Sequence, residues 1–278
     1  MPGAVTRPIA PPSTRAYTAQ RTWAKCLGLL GSGNLDSTAT YVRRITCEMR
    51  HRFGHGSDIR IATLNLHTPE LSEALAKQSW ILAGEILTPA ARQLVALGAD
   101  AIVACSSQLQ PAAVRLLLDA PLLPMTDSVG TALQTLKIKR VGLVGAISES
   151  EETHWRKRLA RFQVLDVFVP VLRDREHLAH LTIEELQQGI VNQTTRADVG
   201  RIVYSLRQAG ARAIVLIAPE LGLALSHLDP VLPVLDATEL HALTALEWSL
   251  NPQPPSPPAP ARPSTREKRP RNHATTQA

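Results

Sequence analysis

Three apolar segments of this chain occur twice, in the same order and roughly 110 residues apart. The stretch AKCLGLLG (24–31) is answered by IKRVGLVG (138–145), and both close on a Gly-x-x-Gly turn. ALGADAIVACSSQLQ (96–110) is answered by RQAGARAIVLIAPELG (207–222). PLLPMTD (121–127) is answered by PVLPVLD (230–236) on one Pro-[Leu/Val]-Leu-Pro-x-x-Asp pattern. One such match between apolar strands is chance; three in register imply an internal duplication, and so two lobes built alike.

Helical periods lie between these strands. DSTATYVRRITCEMRHRF carries Tyr41, Ile45, Met49 and Phe53 on one face, with Asp36 placed to cap it. WILAGEILTPAARQLVALG closes on Gly98, and HLTIEELQQGI and TRADVGRIVYSLRQAG supply helices in the second half. Strands alternating with helices require parallel sheets covered on both faces. The expected fold is therefore α/β, with two pseudo-symmetric Rossmann-like lobes over 25–136 and 137–250 and closing elements that can exchange between them. Ligands of such sheets sit at the carboxyl ends of the strands, so the active-site cleft is expected between the lobes.

Charge narrows the partners. The formal net charge of +6 resides in the tails. Residues 1–24 hold Arg7, Arg15 and Arg21 and no acid, while 251–278 hold five basic residues against Glu267. The portion between is close to neutral. Both tails read as disordered, the first a basic leader and the second a proline-rich extension. Nucleic acid could be engaged only through these tails, which lack the interleaved aromatics that stack on bases. Three cysteines do not form a disulfide framework and fit a reducing, cytoplasmic setting. No apolar run approaches the ~18–20 residues of a membrane helix.

The ordered part resembles the cofactor-independent aspartate/glutamate racemase family over roughly 25–250. LGLLGSGNLDSTATYVRRI is similar to its opening strand, glycine turn and ST-A-x-Y-x-R helix. GEIL…LGADAIVAC, RDREHLAHLTIEELQQG and PVLPVLDATELHA resemble its later segments. The resemblance implies a cytoplasmic isomerase without pyridoxal phosphate or any other cofactor, commonly a homodimer, acting on a small acidic amino acid or related carboxylate. It implies proton abstraction at Cα by one cysteine and return to the opposite face by a second, since inverting a centre needs an acid and a base on its two sides.

Two departures stand out against that pattern. The family's Cys-x-Asn-Thr-x-His becomes Cys105-Ser106-Ser107-Gln108-Leu109-Gln110, which keeps the thiol and polar neighbours. Its Cys-Thr-Glu becomes Ala218-Pro219-Glu220. Alanine has no proton to exchange, and proline deletes a backbone N–H. Pro124 stands where a histidine is frequent. The resemblance implies Cys105 as the catalytic base. Gly31, Ser32, Gly33, Asn34, Ser106, Ser107 and Gln108 would surround the substrate, with Arg43, Arg175, Ala218, Pro219, Glu220 and His241 completing the site. Arg175, Glu185 and His241 match the family pattern.

Three outcomes stay open: weak racemisation with Glu220, His241 or water as the second partner, one-base chemistry of the decarboxylase kind, or binding without turnover. Plainer readings also stand beside these. Gly31–Asn34 suits a carboxylate cradle or a mere strand-to-helix turn. Arg43 and Arg175 suit a carboxylate clamp or a solvated surface. Cys26 and Cys47 read as structural, and the pairs His51/His55 and His177/His180 as solvated helix histidines, so no metal site is expected.

Overall fold

A computed structural model describes residues 25–33, 35–54, 59–225 and 232–251. The expectations for the two tails, for Asn34 and for His55 lie outside these residues. The first lobe runs β1 (Leu27–Ser32), α1 (Asp36–Phe53), β2 (Ile61–Leu66), α2 (Pro69–Ala76), α3 (Trp80–Ala96), β3 (Ala101–Ala104), α4 (Gln110–Ala113), β4 (Leu122–Leu123) and α5 (Met125–Thr135). The second runs β5 (Arg140–Val144), α6 (Glu149–Leu159), β6 (Asp166–Phe168), α7 (Leu172–Glu184), α8 (Gln193–Ala209), β7 (Ala213–Leu216), α9 (Leu221–Leu225), β8 (Val234–Asp236) and α10 (Ala237–Leu250).

Each lobe holds one four-stranded, wholly parallel sheet, ordered β2-β1-β3-β4 and β6-β5-β7-β8. The duplication is thus real in space. The central strands β1, β3, β5 and β7 are buried and rich in Leu, Ile and Val, as strands covered on both faces must be. Of the edge strands, β4 and β8 fall in the repeated Pro-x-Leu-Pro segments, whereas β2 and β6 were not anticipated. β2 is only half-buried and β6 is three residues long, so neither offers a clear apolar run.

Several local expectations change. Asp36 is the first helical residue of α1 rather than its cap; Leu35 takes that place, with no side-chain cap bond. Asp36 instead puts its charge in the first turn, at the positive end of the helix dipole. The segment 180–190 is not one helix: α7 ends at Glu184, and Leu186–Gln188 is a separate 3-10 turn before the left-handed Gly189. Cys26 is buried just ahead of β1, whereas Cys47 is exposed on α1.

The last helix of each half lodges on the other half. α10 packs against α1 and α5, and the Lys25 amide donates to the Ser249 carbonyl (3.0 Å). In return α5 packs on α6 and on the 3-10 turn Ala160–Phe162. Gly130 makes that approach possible, because a Cβ there would overlap the Phe162 ring. Arg158 of α6 clasps Asp127 of α5 with both carboxylate oxygens at 2.6 Å. One apolar core accordingly spans both lobes, from Leu29 and Tyr41 through Trp155 to Val215 and Leu246. Two further cores fill the outer faces of the two sheets.

Candidate active site at the lobe seam

Cys105 follows the last residue of β3, and its amide donates to the Leu30 carbonyl of β1 (2.9 Å). Ile217 follows β7 and donates in the same way to Val144 of β5 (3.1 Å). The turns beyond repeat each other. Ser106 and Ser107 carbonyls accept from Leu109 and Gln110, as Ala218 and Pro219 carbonyls accept from Leu221 and Gly222. By backbone register, then, Ile217 mirrors Cys105, and Ala218 mirrors Ser106. Ile217 shares the central core with Cys105, whereas Ala218 is half-buried and packs toward the outer core of the second lobe.

The thiol is 1 % exposed, with Sγ 3.5 Å from the Val103 carbonyl. The seam is closed over it. Burial pushes its pKa well above the ordinary thiol range. Tyr41 lies in the same core, and its hydroxyl is 2.7 Å from His241 Nδ1. His241 Nε2 is 2.7 Å from the Leu123 carbonyl. A carbonyl only accepts, so Nε2 carries the proton, Nδ1 accepts, and Tyr41 O–H donates. Burial accordingly lowers the His241 pKa to about 4. Both ring nitrogens are occupied, and the ring ties α10 to α1 and β4.

The carboxylates gather on the second lobe's side. Asp236 ends β8 and caps α10, accepting from the Thr238 amide (2.8 Å) and the Glu239 amide (3.1 Å). Burial raises its pKa despite these bonds. Glu220, half-buried in the turn after β7, is raised by burial and then by the charges of Asp236 and of Asp36 from the facing α1. A carboxyl raised in this way keeps its proton more readily than an exposed one.

The remaining predicted residues scatter. Gly31 is buried and Gly33 takes a left-handed φ of 71°. The hollow beside Gly31 is filled from within by Thr38 and Asn65, where a Cβ would collide, and Asn65 Nδ2 donates to the Gly33 carbonyl (2.9 Å). Ser32 ends β1 half-buried. Ser106 Oγ accepts from the Gln108 amide (3.2 Å), and Gln108 is exposed. Arg43 is exposed, two residues round the helix from Tyr41 and so on the opposite face. Arg175 donates to the Pro170 carbonyl (2.7 Å) and the Ile147 carbonyl (3.3 Å), and pairs with Glu152 (3.2 Å). Its guanidinium is spent inside the second lobe. Glu185 accepts from Asn192 and Thr195. His177 pairs with Asp198 (2.8 Å), and no cluster of metal-ligating side chains occurs among the described residues.

Residues 28–245 match the family model for Asp/Glu/Hydantoin racemase. The chain belongs to that family. Its fold agrees with a Yersinia pestis protein assigned to the Asp/Glu racemases, with a TM-score of 0.74 and 29% identity over 82% of this chain and 100% of that one. An aspartate racemase homologue from Pyrococcus horikoshii OT3 gives 0.70 and 22% over 82% and 100%. The glutamate racemase of Francisella tularensis, solved with D-glutamate, gives 0.54 and 9% over 81% of each chain. The α/β architecture of paired lobes is therefore that of the racemases.

Some contacts of this racemase-family seam escaped the sequence. Asn65 sits on a strand that was not foreseen. Tyr41 was legible only as an apolar helix position, and the partner that makes it polar is 200 residues away. Gln110 stands where the family has histidine, and it joins the Ala104 carbonyl (3.0 Å) to the Met125 amide (2.9 Å). It thereby pins the end of β3 to the start of α5. Among the described residues no helix is long and apolar enough to cross a membrane.

Proposed function

We propose that this protein transfers protons at the α-carbon of a small amino acid, with Cys105 as the sole thiol base and the opposite wall lacking its cysteine partner. It acts without pyridoxal phosphate or another cofactor, as a cytoplasmic homodimer, in line with the resemblance that its motifs carry. The reading rests on one contrast: the strand end of the first lobe offers Cys105, while that of the second offers Ile217, Ala218 and Pro219, none with a side-chain proton to give.

Of the candidate replacements, His241 is occupied at both nitrogens, so Glu220 is the better-supported proton donor. Cys105 is held as a thiol while the seam is closed. Substrate entry must therefore part the lobes, and the ammonium of a bound amino acid supplies positive charge that favours the thiolate. The carboxylates of Asp36 and Asp236 attract that ammonium and disfavour a second negative charge on the substrate. Neutral amino acids belong in the assay beside aspartate and glutamate.

Incubation with single enantiomers in heavy water, read by NMR of the α-proton together with chiral analysis, tests the reading. Exchange that outpaces inversion and disappears in Cys105→Ala is the expected result. Equal rates of exchange and inversion would mean that a second partner works as well as a cysteine. Absence of exchange with every amino acid tried would leave a binding protein.

A further inference from the structure

A second hollow lies at the junction of the lobes, and Cys105 is not among its lining residues. It is a cavity of about 460 Å³ where the turn between α2 and α3 meets the end of α4, and its walls include Gln78, Trp80, Ile81, Leu82, Glu85 and Arg115. That volume lies within the range of small-molecule sites. Ile81 and Leu82 are 64% and 49% exposed, unusual for large apolar side chains at the start of a helix otherwise turned inward.

The wall is built to hold its shape. Gln78 has a left-handed φ of 55°, a conformation that costs a residue with a side chain. Its Oε1 accepts from Ser150 Oγ (2.5 Å), and that oxygen accepts from Trp80 Nε1 (3.1 Å). Ser150 belongs to α6, so the indole is latched to the opposite lobe. One turn further along α6, His154 Nε2 is buried without a hydrogen-bond partner. Burial first, then Arg158 and Arg115, hold its pKa down to about 4. His154 is thus a neutral imidazole with an unsatisfied nitrogen, close enough to Arg115 to feel its charge.

Two opposite charges border the hollow without meeting. Arg115 and Glu85 are both exposed, and neither forms an ion pair among the described residues. The Arg115 stem lies against α3 at Gly84, one residue before Glu85, where even a Cβ would sit 3.2 Å from the Arg115 Cβ. An unpaired cation and an unpaired anion lining one hollow beside Ile81 and Leu82 can together receive a zwitterion.

We propose that this cavity binds a free amino acid with an apolar side chain, its carboxylate on Arg115, its ammonium on Glu85, and its side chain against Trp80, Ile81 and Leu82. Cys105 does not line the hollow, so the proposal stands whether or not that thiol is catalytic.

The test is a titration of the full chain with leucine, N-acetylleucine and leucinamide, followed by ligand-observed NMR and tryptophan fluorescence. Leucine binds at millimolar concentration, and each capped analogue binds about tenfold more weakly because one charge-assisted contact is lost. Arg115→Ala and Glu85→Gln, both at exposed positions, weaken leucine by a similar factor, while Cys105→Ala leaves it unchanged. Failure of leucine to bind the folded protein overturns the proposal, as does binding that survives Arg115→Ala or vanishes in Cys105→Ala. If no amino acid binds and the same substitutions instead alter self-association in ultracentrifugation, the face belongs to a second copy and the proposal fails.

Discussion

The two strand ends facing the seam share one backbone and differ in chemistry. Cys105-Ser106-Ser107-Gln108 and Ile217-Ala218-Pro219-Glu220 make the same strand-to-turn hydrogen bonds, yet the first keeps four polar side chains and the second keeps one. The duplicated scaffold therefore survives without the duplicated function. Parallel strands and their turns are held by backbone pairing and apolar burial, neither of which asks for a thiol. The same separation appears in the paired aspartates of the Pro-x-Leu-Pro motif. Asp127 grips Arg158 across the lobes, while Asp236 caps its own helix.

The sharpest test of this contrast restores the lost group. Ala218→Cys combined with Pro219→Thr is expected to raise inversion relative to exchange by roughly 10²-fold, the scale of a positioned acid–base group. Chiral analysis in heavy water reads it. Ile217→Cys, which mirrors Cys105 in register, is the control. Its side chain is buried in the same core as Cys105, so the substitution costs about 1–2 kcal/mol in denaturant melts. Inversion gained there rather than at Ala218 would show that strand register sets the place of the second thiol.

A second test concerns the ring that fastens the second lobe's closing helix. The folded pKa of His241, about 4, lies below its ordinary value of 6.5. The unfolded chain therefore binds the extra proton first. Stability is full above pH about 6.5, falls as the pH drops toward 4, and levels off below. The full loss attributable to this ring is about 3 kcal/mol. Urea melts across that range should show the slope, and His241→Gln should flatten it. His154, lowered to the same value, adds a parallel contribution. A slope unchanged in His241→Gln would mean that the ring takes up no proton in this window.

Smaller effects belong to single contacts. Gln110→Ala leaves the buried Met125 amide and Ala104 carbonyl short of a partner and should cost about 2 kcal/mol. Tyr41→Phe removes the donor to His241 and should cost about 1 kcal/mol. Thermal melts of both variants compare the pin of the first lobe with that of the second.

The sequence made the two-lobe plan legible because three apolar segments repeat in order, two of them buried parallel strands that read as unbroken apolar runs. It did not reveal β2 and β6, since an edge strand carries a mixed pattern that a loop can imitate. The glycine turn, the thiol and its polar neighbours were visible as motifs. Their accessibility was not, because Cys105 is buried in a core that gathers residues from both lobes, Tyr41 and Val215 among them, which are distant in sequence. The same holds for Arg175. A lone arginine before a helix reads equally as a clamp or as surface, and only the carbonyls of Ile147 and Pro170 reveal a third role, a brace within its own lobe.

The trading of terminal helices has a historical implication. A chain made of one lobe alone would have nowhere to seat its last helix, and the groove meant for its neighbour's helix would stand bare. Two such chains could satisfy each other by swapping ends, and joining them tail to head would yield the arrangement described here. In that event the ancestral unit was viable only as a pair, and gene fusion made permanent a partnership that already existed.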